Sequence, residues 1–148
     1  MNRYSLGGCA VEIDEAATRR WYRRAPLWDC ACGHCRNFMA LARAGRLPEK
    51  IMKLLNRLDL PPEKATYVCE AYHERNELFY QVGYRLAGVI LERRETALPE
   101  DGTQIRCGLE RCVPFEAPDF PEPSFELDLW MKLPWVLDEP IGGGEENI

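Results

Sequence analysis

Hydrophobic and polar positions change period several times along this chain. The clearest stretch is the last, where Phe125, Leu127, Leu129, Met131 and Leu133 alternate with Glu126, Asp128, Trp130 and Lys132. That period of two predicts a strand with one buried face, its polar set turned to water, closed by Pro134. Cys9, Val11 and Ile13 alternate in the same way and predict a short strand near the start. Between them the period lengthens. Phe38, Leu41 and Ala42 share one face of a helix over 36–44, with Gly45 as its stop. Pro48 opens a second helix, on which Ile51, Leu54, Leu55 and Leu58 follow the i, i+3, i+4, i+7 spacing until Leu60-Pro61-Pro62.

The remaining segments read less sharply. Residues 14–29 are polar, basic and aromatic, and with Pro26 among them they predict a long connection or an irregular strand. From Ala65 the chain is rich in Tyr, Val, Leu and Ile around the polar group Glu74 to Glu77, which predicts a β-hairpin turning near Arg75-Asn76. A helix over 63–73 competes with its first arm. Leu98 to Gly102 reads as a turn, and Ile105, Cys107 and Leu109 as a further half-exposed strand. Pro114, Pro118, Pro121 and Pro123 make 113–123 an extended loop. Helices early and strands late give an α+β class, an antiparallel sheet of about five strands with two helices packed on one face. Residues 1–140 are expected to form a single domain and 141–148 a flexible tail.

Composition narrows the function classes. At 148 residues the chain suits one domain that needs neither disulfide nor metal to fold. The net charge of −5 argues against general affinity for nucleic acid, which depends on neutralising phosphates. A local exception is Arg19-Arg20-Trp21-Tyr22-Arg23-Arg24, basic and aromatic as a stacking surface is, unless the two rings belong to the core. No apolar run marks a secretory leader, and none reaches the roughly 20 residues needed to cross a bilayer. Seven cysteines without an export signal point to the cytoplasm, where closely spaced thiols more often serve metal or redox chemistry than disulfides.

Three of those cysteines fall within six residues, Cys30-Ala31-Cys32-Gly33-His34-Cys35. Thiolates at this spacing can grip one soft ion, Zn2+ being the usual occupant of Cys-rich tetrahedral sites. Cys30, Cys32 and Cys35 would supply three ligands and Cys9, on the strand before them, the fourth. His34, Cys69, His73, Cys107 and Cys112 stay open as alternatives. Simple packing of small apolar side chains competes with the metal reading, and is the preferred one for Cys9, Cys69 and Cys107. Neither histidine is placed to make a Cys–His nucleophile, and no paired carboxylates in an apolar setting suggest acid–base catalysis.

Cys32-Gly33-His34-Cys35, with Ala25-Pro26 and Trp28 just before it, resembles the active site of the protein disulfide isomerases. That resemblance implies a thiol–disulfide oxidoreductase with Cys32 as attacking thiol and Cys35 as resolving thiol. It does not extend further, because a basic segment rather than an apolar strand precedes the motif and Val113-Pro114 has no evident strand after it. A wider pattern runs from Trp28-Asp29-Cys30-Ala31-Cys32-Gly33-His34-Cys35-Arg36-Asn37-Phe38 to Leu133-Pro134-Trp135. It is similar to a family of small uncharacterised bacterial proteins with an N-terminal CxCxxC-x-N-F stretch and a C-terminal LPW motif. That resemblance implies a helix after the cysteines and a strand-rich middle, and it carries no activity. The expectation for function is a cytosolic accessory or partner-binding protein, not an enzyme. Its partner would be a protein meeting an exposed Trp130, Trp135 and the proline-rich segment.

Overall fold

The computed structural model describes residues 1–74, 77–94, 101–108 and 117–141. The described residues form an α+β fold, a six-stranded antiparallel sheet with three α-helices. The strands are β1 (Asn2–Leu6), β2 (Cys9–Ile13), β3 (Tyr67–Glu74), β4 (Glu77–Glu92), β5 (Gln104–Gly108) and β6 (Ser124–Pro134). The helices are α1 (Glu15–Arg24), α2 (Gly33–Arg43) and α3 (Glu49–Leu58).

The 16 residues of β4 organise the sheet. One edge pairs with β6 from Glu77 to Ala87, and β5 lies beyond β6. The other edge is shared, β3 taking Glu77 to Gly83 and β2 taking Gly88 to Glu92. A gap remains between those partners, and side chains close it. The Thr18 hydroxyl accepts from the Ala87 N–H (3.1 Å), the Tyr22 hydroxyl donates to the Arg85 carbonyl (2.9 Å), and the Asp14 N–H donates to the Ala87 carbonyl (2.8 Å). Buried backbone groups need partners, and α1 provides them where no strand does.

That role corrects the expectation of an irregular connection over 14–29. Asp14 caps α1, its carboxylate accepting from the Ala17 N–H at 3.1 Å. Pro26 lies past the end of the helix and cannot interrupt it. Trp21 and Tyr22 are both buried, so the basic segment's aromatic rings are core. The second helix follows its predicted stripe, with Ile51, Leu54, Leu55 and Leu58 all buried. α2 begins at Gly33, earlier than 36, because Cys32 caps it. A single 3-10 turn at Pro62–Lys64, followed by β3 from Tyr67, stands where a helix over 63–73 competed.

β1 had no counterpart among the predicted elements. Gly7 and Gly8 both hold positive φ (57° and 86°) between Leu6 and Cys9, a two-residue turn that pairs the first two strands.

The core lies on one face of β4 and β6. Leu78, Tyr80, Val82, Tyr84 and Leu86 sit directly across from Leu133, Met131, Leu129, Leu127 and Phe125, and all ten are buried. The opposite face breaks the expected alternation. Glu126 is buried (7% exposed) directly across from Arg85 (2%), whose Nε and Nη2 donate to the Ser124 hydroxyl at 3.3 Å. Placing a buried carboxylate in register with a buried guanidinium leaves neither charge facing only apolar groups, which period-2 reasoning alone does not anticipate. The turn near Arg75-Asn76, residues 98–100 of the predicted turn, Leu109, the proline segment through 116 (with Cys112) and the tail from 142 lie outside the described residues.

Candidate metal centre

The loop 28–32 and the first turn of α2 bring three thiols to one point. The Sγ atoms of Cys30, Cys32 and Cys35 all lie within 4.8 Å of one another. Two sulfurs bound to one zinc at about 2.3 Å and tetrahedral angles stand roughly 3.8 Å apart, so a small closure of the loop completes the geometry. Cys30 and Cys32 are exposed and Cys35 is buried. That exposure argues against apolar packing for Cys30 and Cys32, while Cys35 belongs to the core.

Local chemistry distinguishes the three sulfurs. Cys32 is the N-cap of α2, and its Sγ accepts from the Cys35 N–H at 3.4 Å. Cys30 is held below the ordinary thiol range, first by a hydrogen bond from the Cys32 backbone and then by the neighbouring Cys35 and Cys32 thiols. Cys35 is pushed well up by burial, only partly offset by the Trp28 indole N–H, which donates to its Sγ at 3.1 Å. An indole donor aimed at a buried sulfur suits a thiolate held by a cation, since the cation replaces the solvation that burial removes.

The C-terminal Leu133-Pro134-Trp135 segment fixes this loop from above. Asn37, fully buried, donates from Nδ2 to the Pro134 carbonyl (3.0 Å) and accepts at Oδ1 from the Val136 N–H (2.8 Å). A Cβ built on Gly33 would stand 3.3 Å from the Trp135 ring, so the indole lies directly on the cysteine turn. Arg36 grips the Glu139 carboxylate at 2.6 and 2.9 Å and donates to the Ala31 carbonyl at 3.0 Å. Trp135 Nε1 donates to the Glu139 carbonyl at 2.7 Å, closing the clasp. The residues that carry the wider sequence resemblance therefore touch one another. Trp130 and Trp135, expected to be exposed, are each half-buried.

The proposed fourth ligand is misplaced. Cys9 is buried on β2, its thiol directed at the Arg94 carbonyl (3.8 Å) and beside Cys107, whose own thiol burial pushes up to about 12. Strand order explains this, because β2 pairs with the far half of β4 whereas α2 packs near its first half. His34 turns its Nε2 to Glu70 (3.5 Å) rather than to the sulfurs. Among the described residues no other Cys, His, Asp or Glu joins the cluster. A cleft of about 380 Å³ adjoins it, lined by Pro26, Leu27, Trp28, Ala65 and Val68 together with Asp29 and Cys30.

What precedes Cys32 is α1 and a loop, not the strand that the disulfide isomerase resemblance requires. Among the described residues no helix is long and apolar enough to cross a membrane. No family model, curated protein or solved structure matches the chain.

Proposed function

We propose that Cys30, Cys32 and Cys35 form a three-thiolate zinc centre in a non-enzymatic, cytoplasmic accessory protein that binds a protein partner. The observation that carries this is the convergence of three sulfurs at the mouth of α2, two of them at the surface. Three protein ligands leave the fourth position to water or to a group from outside. The adjoining cleft, mostly apolar, and the exposed Leu27 support a partner surface beside the thiols. The contacts among Gly33, Asn37, Pro134 and Trp135 support grouping this chain with the CxCxxC-x-N-F and LPW proteins that it resembles.

A second reading rests on one observation. Cys32 caps α2 with its sulfur accepting from the Cys35 N–H, which is the setting of an attacking thiol with its resolving partner one turn on. Anaerobic purification of the untagged chain followed by elemental analysis separates the two. One zinc per chain, reduced to less than a tenth in the Cys32→Ser variant, with no insulin reduction, supports the metal centre. Cys32-dependent insulin reduction by metal-free protein supports the oxidoreductase.

A further inference from the structure

Beside the thiol cluster, on the helix-facing side of β3, three further ligand-type side chains meet. His34 Nε2 stands 3.5 Å from Glu70 Oε1, and His73 Nδ1 stands 3.6 Å from Glu70 Oε2. One carboxylate is thus flanked by both histidines of the chain.

Strand alternation would not place Glu70 and His73 on one face, since they are three residues apart. A bulge does. Glu70 pairs with Tyr80 and Tyr72 with the next residue, Phe79, leaving Ala71 unpaired. The extra residue sends Tyr72 to the outer face, where its ring stacks on Phe79 at 4.4 Å. It then returns His73, opposite Leu78, to the inner face that carries Glu70 and Tyr80. Bulges that re-aim a side chain are common next to functional sites. On the other side, Tyr80 donates to the His34 carbonyl at 2.6 Å and Trp135 lies edge-on to the imidazole at 6.1 Å, so His34 is held over Glu70.

The three groups do not satisfy each other. His34 Nε2 and Glu70 Oε2 are shut off from solvent, yet neither makes a hydrogen bond. Separations of 3.5 and 3.6 Å are long for hydrogen bonds between such atoms. They match a nitrogen and an oxygen that share one divalent ion, which stand roughly 3.4 Å apart at tetrahedral angles. The cysteines alone already converge within one ion's reach. Here closure needs a turn of His73, whose side chain is 41% exposed and free to make it.

We propose that His34, Glu70 and His73 form a second divalent transition-metal site, two imidazoles and a carboxylate, separate from the thiolates. Nitrogen and oxygen donors of this kind suit Zn2+ and its neighbours in the first transition row. The inference stands whether or not the thiolate centre holds zinc.

The test uses the untagged 148-residue chain carrying Cys30→Ser and Cys32→Ser, both at exposed positions, titrated with zinc alone. Because the chain has two histidines, long-range 15N–1H spectra of the imidazoles report on each. Both rings are expected to shift together and saturate at one equivalent. Glu70→Gln or His73→Ala, with the folded amide spectrum retained, is expected to weaken binding at least tenfold. Absence of a shift in either ring, a shift in one ring only, or binding unchanged by both substitutions would overturn the proposal.

Discussion

Asn37 shows how one side chain ties the cysteine turn to the end of the sheet. It is fully buried within the first two turns of α2, and its amide bonds one backbone group in the last residue of β6 and one just past it, with Tyr80 as a third neighbour at 3.4 Å. Asn37→Ala leaves the Pro134 carbonyl and the Val136 N–H without that partner. Each unsatisfied buried group costs about 1–3 kcal/mol, so a loss of about 2–4 kcal/mol in urea unfolding is expected. A change within 0.5 kcal/mol would show that the clasp does not hold the segment. None of this was visible in the sequence beyond the spelling of the motifs. Asn37 follows the cluster by two residues, but its partners lie almost a hundred residues away. Cys9 failed as a ligand for the same reason, since spacing along the chain does not say which half of β4 a strand will join.

At the scale of elements, the periodic stripes of α3, β2 and β6 were legible because each has one dry face. Those read poorly were ones whose reason is local or tertiary. α1 depends on the Asp14 cap and on the gap in β4's edge, and β1 on a two-glycine turn rather than on a hydrophobic pattern. The change of partners along β4 falls at Gly88, with φ of 149° and the Glu12 carbonyl oxygen only 1.9 Å from where a Cβ would stand. No side chain fits there without moving the β2 backbone. Gly88→Ala is therefore expected to cost about 3–4 kcal/mol, through strain and a displaced strand. Gly108→Ala, on β5 where a Cβ would meet nothing within 4 Å, is expected to stay within about 0.5 kcal/mol. Equal effects in denaturant unfolding would argue against the pairing of β2 with β4.

For the molecule as a whole, three buried tyrosines set the alkaline limit. Burial raises the phenols of Tyr22, Tyr80 and Tyr84 far above the ordinary value of 10.0. Below that value the phenols are protonated in both states and their contribution is fully present. Above it the unfolded chain releases protons that the folded chain keeps, so stability falls as pH rises. The expected slope is about 1.4 kcal/mol per pH unit for each phenol, or about 4 for the three. Tyrosinate absorbance should rise in two steps, the second coinciding with loss of far-ultraviolet dichroism; a single step near pH ~10 in folded protein would contradict the burial.

The thiolate centre is tested most directly by zinc K-edge X-ray absorption on the untagged chain carrying one equivalent of the metal. A first shell of about three sulfurs at about 2.3 Å with one lighter atom is the expected result. A shell made of nitrogen and oxygen alone, or failure to retain zinc with Cys30, Cys32 and Cys35 reduced, would contradict it.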